Sequence, residues 1–338
     1  MTTATKRRFK NRYIVLVLMI LAVVSINLFA PVQPHIQVAA ERLSEEPINT
    51  PVGPIYFVNT LPTLALTIIL IWVLVFFVNR AIRQSQKDLV PHGVGSIFEM
   101  LMEMLYNLTE GSAGAKWAPK IFPWFATIMI YVLFANLLKI LPGFETIGLL
   151  HHSEHGFQTQ QIGPITTLLA QPAEHEGYGL IPFFRGVSVD LNFTFALALI
   201  AVVFIQVIGF QSQGFGYLGK FLNVRRMFTV PFFGAMDFLV GLLELISELS
   251  KILSFAFRLF GNMFAGVVLV AVVGTMLNGA IPLFTAGIVP SMLTLFEIFV
   301  GVIQAFVFGM LTMVFMAQAT VGHHDEEHES APAEAHEI

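Results

Sequence analysis

No charged residue stands between Glu46 and Arg80, and none between Arg258 and Glu297. Apolar runs of that length leave a chain few options, because about 20 predominantly apolar residues are enough for a helix to cross the hydrocarbon core of a bilayer. Four stretches qualify outright: Tyr13–Ala30, Ile55–Asn79, Ile121–Leu138 and Leu191–Gln211. From Met227 the apolar character hardly stops until Val321. A turn signal at Asn278-Gly279-Ala280, just before Pro282, divides that block into two long helices, one ending near Leu277 and one running from about Ala286 to Gly322. The first of the pair is open to beginning as a shorter reentrant or steeply tilted piece at Phe228–Leu243. The expected fold is therefore all-α, a polytopic membrane protein with five to six spanning helices. Composition agrees: 12% of residues are charged, against about 25% in soluble domains. Cysteine is absent, which removes disulfides, thiolate metal sites and a cysteine nucleophile.

Basic residues set the orientation, since Lys and Arg are enriched in cytoplasmic loops. Lys6, Arg7, Arg8, Lys10 and Arg12 precede the first apolar stretch. Arg80, Arg83 and Lys87 follow the second, Lys116 and Lys120 precede the third, and Lys220, Arg225 and Arg226 follow the fourth. With the N-terminus inside and alternating spans, all of these fall on the cytoplasmic side, and the C-terminus joins them there. The opposite side keeps Arg42, Lys139 and Arg185. Tyr13–Ala30, with Val38-Ala39-Ala40 behind it, reads equally as a retained span or as a cleaved secretion signal; either outcome leaves residue 41 external.

Three segments between or beyond the spans are different in kind. Pro91–Gly114 places Ile97, Met100, Leu101, Met104 and Leu105 at helical spacing with Glu99 and Glu103 interleaved, an amphipathic helix at the cytoplasmic face. Leu149–Gly186 is expected as a polar external loop carrying His151, His152, His155 and His175. His323–Ile338 is an acidic, His-containing tail with the composition of a disordered segment. The chain thus divides into residues 1–45, 46–322 and 323–338. No internal repeat of the kind many secondary transporters carry is visible.

Charges inside spans are expensive and default to function. Arg258 is the clearest, a guanidinium that keeps its proton in any plausible protein setting. At about 100° per residue, Glu244, Ser247, Lys251, Ser254 and Asn262 fall on the same face of the helix as Arg258, with Glu248 to the side. On the last helix Glu297 and Gln304 share a face at heptad spacing. Such groups can serve only as interhelical glue, commonly below about 1 kcal/mol each. For Arg258 that reading is weak, because Glu244 lies two heptads away along the axis.

Glu244 through Gly266, with the core Ser254-x-x-x-Arg258-Leu259-Phe260-Gly261-Asn262-Met263-x-Ala265-Gly266, resembles the signature of subunit a of the rotary F-type ATP synthase. Gln304-Ala305-Phe306-Val307-Phe308 on the last helix continues the resemblance. So do Asn136-Leu137-Leu138 with Leu141-Pro142-Gly143, and Asp190-Leu191-Asn192-Phe193-Thr194 at the start of a span. The matches run in family order over about residues 50–320. Two departures stand out besides the N-terminal segment and the His-containing loop. Val267 occupies a place where the family often has an acidic residue, and Glu297 one where other members carry His.

The resemblance implies a stator proton-channel subunit whose two long, tilted antiparallel helices face a ring of small membrane subunits, each with one mid-membrane carboxylate. It implies Arg258 as the stator charge, and a proton path drawn from Asn262, Glu297, Gln304, Ser254, Glu244, Glu248, Lys251, Asp190 and Asn192. Further implied partners are a peripheral-stalk membrane subunit and the lipid bilayer, in the plasma membrane of a prokaryote. No cofactor and no nucleic acid is expected, and the absence of a Gly-rich phosphate loop or nucleophile motif argues against nucleotide chemistry on this chain. Two rivals compete with this reading. One is an independent channel or secondary transporter, which would share the same polar stripes. The other is a membrane metalloenzyme built on His151-His152-x-x-His155 or His323-His324-x-x-x-His328, whose spacings are ligand-like.

Overall fold

The computed structural model describes residues 13, 17, 20, 38–44, 46–51, 53–85, 94–139, 141, 144–153, 156–162, 165–172, 177–221, 231–276 and 289–321. Most of Tyr13–Ala30, the turn at residues 278–282, His155, His175 and the tail from residue 323 lie outside them. Among the described residues, five helices are long and apolar enough to cross a membrane, as the all-α polytopic expectation requires. They are α1 (Thr60–Ser85), α2 (Val94–Leu138), α3 (Leu191–Gln213), α4 (Pro231–Met276) and α5 (Val289–Thr320).

α2 joins two expected elements. The amphipathic helix starts at Val94 and breaks at Gly114, whose φ of 72° and ψ of 160° interrupt the helical backbone. That left-handed φ is one glycine adopts without the Cβ penalty of other residues. Ile97, Met100 and Met104 stay exposed on its apolar side while Leu105 and Thr109 are buried. The spanning half follows, with Pro119 and Pro123 inside it.

α4 runs unbroken over 46 residues. Of the reentrant or steeply tilted opening piece considered at Phe228–Leu243, residues 228–230 lie outside the described residues, and from Pro231 on it is continuous with the rest of the helix. At 1.5 Å per residue α4 is about 69 Å long, more than twice the roughly 30 Å hydrocarbon core. It cannot stand upright and remain within the bilayer. No proline follows Pro231 within it, so the commonest cause of a sharp kink is missing.

The segment expected as an irregular loop is a four-stranded antiparallel sheet, order β3-β6-β4-β5. Its strands are β3 (Gly148–Ser153), β4 (Phe157–Ile162), β5 (Ile165–Pro172) and β6 (Gly177–Pro182). β3 and β6 pair from Gly148–Pro182 to Ser153–Gly177, and the β4–β5 hairpin, which the chain forms between them, lies on the far side of β6 with β5 outermost. Gly156 and Gly177 lie so close that a Cβ on either would collide with the other's backbone. A smaller ribbon, β1 (Ile48–Thr50) with β2 (Gly53–Ile55), precedes α1.

The chain forms two compact units. One takes its described residues from Met1–Leu66, Ala135–Asp190 and Gly261–Val302, the other from Thr67–Phe134, Leu191–Phe260 and Ile303–Ile338. In the first, Asn136 at the end of α2 donates to Gly301 O of α5 at 3.1 Å and accepts from Ser188 Oγ at 2.6 Å. Arg185 is tied by its N–H to Thr63 Oγ1 and by its guanidinium to Ala39 O. In the second, α4 and α5 pack antiparallel: Phe255 meets Phe308 and, earlier on α4, Lys251 lies over the ring of Phe315. Trp124 of α2 stacks on Phe204 of α3 with centroids 3.6 Å apart. Gly309 lets α5 approach Phe125 and Met129 of α2 closely, the use small residues find between membrane helices.

Candidate functional site

In the first unit, Lys139 Nζ lies 3.2 Å from Glu297 Oε1, with side chains 7% and 18% exposed. Lys139 follows directly on α2, and Glu297 sits two turns into α5. A cavity of about 200 Å³ opens beside the pair, lined by Asn262, Met263, Ala265, Gly266 and Leu269 from α4 and by Phe296 and Val300 from α5. Gly266 is the residue of α4 that meets the carboxylate: a Cβ built there would stand 3.0 Å from Glu297 Oε1. Val267, the position singled out in the sequence, is the neighbour and does not line this cavity.

Sequence reasoning thus named Glu297 and Asn262 but missed Lys139, which entered only as a charge on the outer side. The signal was available. A lysine capping an apolar span beside Leu141-Pro142-Gly143, with an acidic residue alone on another span, is a pair of charges that burial would drive together.

In the second unit, Arg258 is half-buried on α4, and its Nη2 donates to Ser254 Oγ, one turn back, at 3.4 Å. Among the described residues no carboxylate lies within ion-pair distance of this guanidinium. Leu253 and Phe257 flank it, both largely exposed. Gln304 is buried on α5 at 3% exposure.

A second polar cluster lies earlier on α4. Glu248 is 6% exposed; its Oε1 receives Lys251 Nζ at 2.8 Å and its Oε2 receives Gln206 Nε2 of α3 at 2.8 Å. Tyr217 Oη in turn donates to Gln206 Oε1 at 2.9 Å. The helical-wheel stripe set Glu248 aside from Lys251; the flexible lysine side chain brings them together. Gln206 and Tyr217 were not anticipated. Gln206, a lone amide in the apolar run of α3, was the readable sign, whereas Tyr217 reaches the cluster from a 3-10 turn, Gly214–Lys220, that no periodicity announces. Glu244 is half-buried, and Ser247 faces outward on the same helix.

Asp190 is buried and accepts from Thr60 Oγ1 at 3.2 Å, and it does not line the Glu297 cavity. Asn192 is exposed at the start of α3. His151 and His152 lie on β3, where the ring of His152 packs against Tyr178. Among the described residues no group of three or more His, Asp or Glu is placed to hold a metal ion.

A family model described as ATP synthase A chain matches residues 63–317. Similar proteins include ATP synthase subunit a of Desulforamulus reducens, 29% identical over 279 residues, 82% of this chain and 82% of the relative. ATP synthase subunit a of Mycobacterium tuberculosis is 27% identical over 271 residues, 80% of this chain and 89% of the relative. A third, from Propionigenium modestum, bears the name ATP synthase subunit a, sodium ion specific; it is 30% identical over 264 residues, 76% of this chain and 74% of the relative.

Proposed function

The chain belongs to the ATP synthase A chain family, and from that premise we propose that it is the stationary channel subunit of the membrane sector, working against a rotating ring of carboxylate-bearing subunits. Two aqueous half-channels would bring a proton to a ring carboxylate from one side and release it to the other after most of a turn. Arg258 would attract each carboxylate as it loses its proton, disfavour the protonated form beside it, and block direct passage between the half-channels. A peripheral-stalk membrane subunit would hold the chain still. The chain itself would bind no nucleotide, sit in the plasma membrane of a prokaryote, and keep its C-terminus in the cytoplasm, the side to which its basic loops point.

The observation that carries this reading is Arg258: a permanent charge on a span, with Ser254 as its hydrogen-bond partner and no carboxylate in reach among the described residues. Its flanks are exposed apolar side chains. A charge so placed is costly without a counterion, and a carboxylate on a neighbouring subunit supplies one. The energetic stake is large, since one charge crossing the field contributes about 2.3 kcal/mol per 100 mV, and a leak past Arg258 would dissipate it. The Lys139–Glu297 cavity supports an outer half-channel, with Asn262 on its wall one turn along α4 from Arg258. Buried Gln304, two turns along α5 from Glu297, supports the next stage of the route. A relative is named sodium ion specific; for this chain we take the proton as the ion.

The test is pumping by membrane vesicles carrying the whole enzyme. Arg258→Ala and Arg258→Lys are expected to assemble and to lose ATP-driven proton pumping, the lysine because it lacks the planar fork and can shed its charge in an apolar setting. Near-normal pumping by either variant refutes the assignment. An independent channel or transporter would instead carry ions when purified without the ring.

A further inference from the structure

We propose that Lys139 makes the Glu297 cavity selective for protons by placing its own ammonium where a metal cation would otherwise sit. The proposal rests on the reading of this cavity as an ion path and specifies the ion the path excludes.

Among the described residues Glu297 is the one carboxylate lining the cavity, and Lys139 is 3.2 Å from its Oε1. The pair brings the charge of the lining to zero. A cavity that is to lodge a sodium ion needs surplus negative charge and several oxygens free to replace water. Here the carboxylate already faces a cation that is covalently fixed, and lysine offers three donors and no acceptor. The low exposure of both side chains weakens screening by water, so the ammonium repels a second cation strongly at short range.

A proton is not excluded by the same arrangement. It moves by exchange between oxygens along hydrogen bonds, and no ion of finite size has to displace the lysine. The geometry keeps one side of the carboxylate reachable. Lys139 takes Oε1 from one direction, while Gly266 presents no side chain to that atom, and Asn262 shares the cavity wall. The ammonium also explains a feature the proposed function leaves unused: a buried lysine at the end of a membrane span, which is costly unless a counterion fixes it.

The experiment uses whole ATP synthase in inverted membrane vesicles loaded with NaCl or, at equal ionic strength, choline chloride. The vesicle lumen is the side to which the outer cavity would open. Respiration-driven ATP synthesis is measured, and the readout is the ratio of the two rates within each variant, so a lower absolute rate does not count. The unaltered enzyme and Lys139→Arg are expected to give a ratio near one. Lys139→Gln, which leaves Glu297 without its cation, is expected to lose synthesis several-fold in sodium relative to choline. Indifference of Lys139→Gln to sodium overturns the proposal. A several-fold sodium loss in the unaltered enzyme overturns it as well, and that arm gives a reading even if Lys139→Gln fails to assemble. Failure of the underlying path has a different signature: Glu297→Gln would then synthesise ATP at the unaltered rate in choline.

Discussion

Glu248 and Lys251 stand 2.8 Å apart on adjacent turns of α4, and the pair holds α4 to α3 through Gln206. The carboxylate is buried, and both its oxygens receive a donor. Removing one member of a buried pair leaves the other charge uncompensated, at a cost that reaches about 3–5 kcal/mol, whereas replacing both is often close to neutral. Lys251 retains some exposure, so the lower part of that range applies.

The first prediction follows. Lys251→Met and Glu248→Gln should each lower the thermal stability of the detergent-solubilised complex, and the double variant should lose less than the sum of the two. A double-mutant cycle measures the difference. Strict additivity would show that the pair is not energetically coupled. Tyr217→Phe, which removes the donor to Gln206 Oε1, should cost about 1 kcal/mol.

The approach of Gly266 to Glu297 yields the second. A Cβ at 3.0 Å from Oε1 meets the far end of a flexible side chain rather than backbone, so Gly266→Ala should assemble and work with modest loss. Gly266→Val adds methyl groups that must enter the cavity or push the carboxylate aside. ATP-driven proton pumping should fall severalfold in the valine variant, with normal amounts of assembled complex. Equal pumping in Gly266→Val and Gly266→Ala would remove the cavity from the ion path.

Spans and their ends were readable because hydrophobic length and charge asymmetry are one-dimensional signals. Leu138 closes α2 where Lys139 begins, and Gly114 breaks that helix where the amphipathic pattern ends. The sheet over residues 148–182 was missed because β3, β5 and β6 are short and mix polar with apolar residues, so their identity comes from pairing partners rather than from a local pattern. Arg258 and Glu297 were legible as charges in apolar runs. Their surroundings were not, since Lys139 comes to Glu297 from just past the end of α2 and Gln206 to Glu248 from α3, and helical periodicity relates only residues of one helix.

Close packing of α5 on α2 gives the third prediction in this group. A Cβ at Gly309 would stand 2.9 Å from Met129 Cβ and 3.1 Å from the Phe125 ring, and the Cβ of Met129 cannot swing away as a side-chain end can. Gly309→Ala should therefore destabilise the subunit, and Gly309→Val should do so by the 1–3 kcal/mol or so typical of overpacking. The measurement is the amount of subunit recovered in the assembled complex after mild heating. Met129→Ala in the Gly309→Ala background should restore part of the loss by reopening the contact. Wild-type stability for Gly309→Val would mean that the two helices do not need this close approach.

The last prediction concerns which exposed face of the second unit would meet the proposed ring. Phe257 on α4 is 53% exposed and Trp72 on α1 is 72% exposed, so exposure alone does not distinguish them. Both are suited to lipid, and exposed apolar surface in a membrane chain is covered either by lipid or by a neighbouring subunit. What separates them is the guanidinium beside Phe257. A ring carboxylate that reaches Arg258 must bring its helix against the side chains next to it, whereas the helix around Trp72 carries no charged residue from Thr60 to Asn79. The chain has no cysteine, so a thiol introduced at either position is unique in this subunit. With a second cysteine placed next to the carboxylate of the ring subunit, mild oxidation should cross-link Phe257→Cys and leave Trp72→Cys uncoupled. The cross-link should block ATP hydrolysis coupled to pumping, and reduction should restore it, because a stationary subunit tied to a rotor stops it. Cross-linking from Trp72→Cys alone, with none from Phe257→Cys or Leu253→Cys, would move the ring to another face and leave Arg258 without its proposed partner.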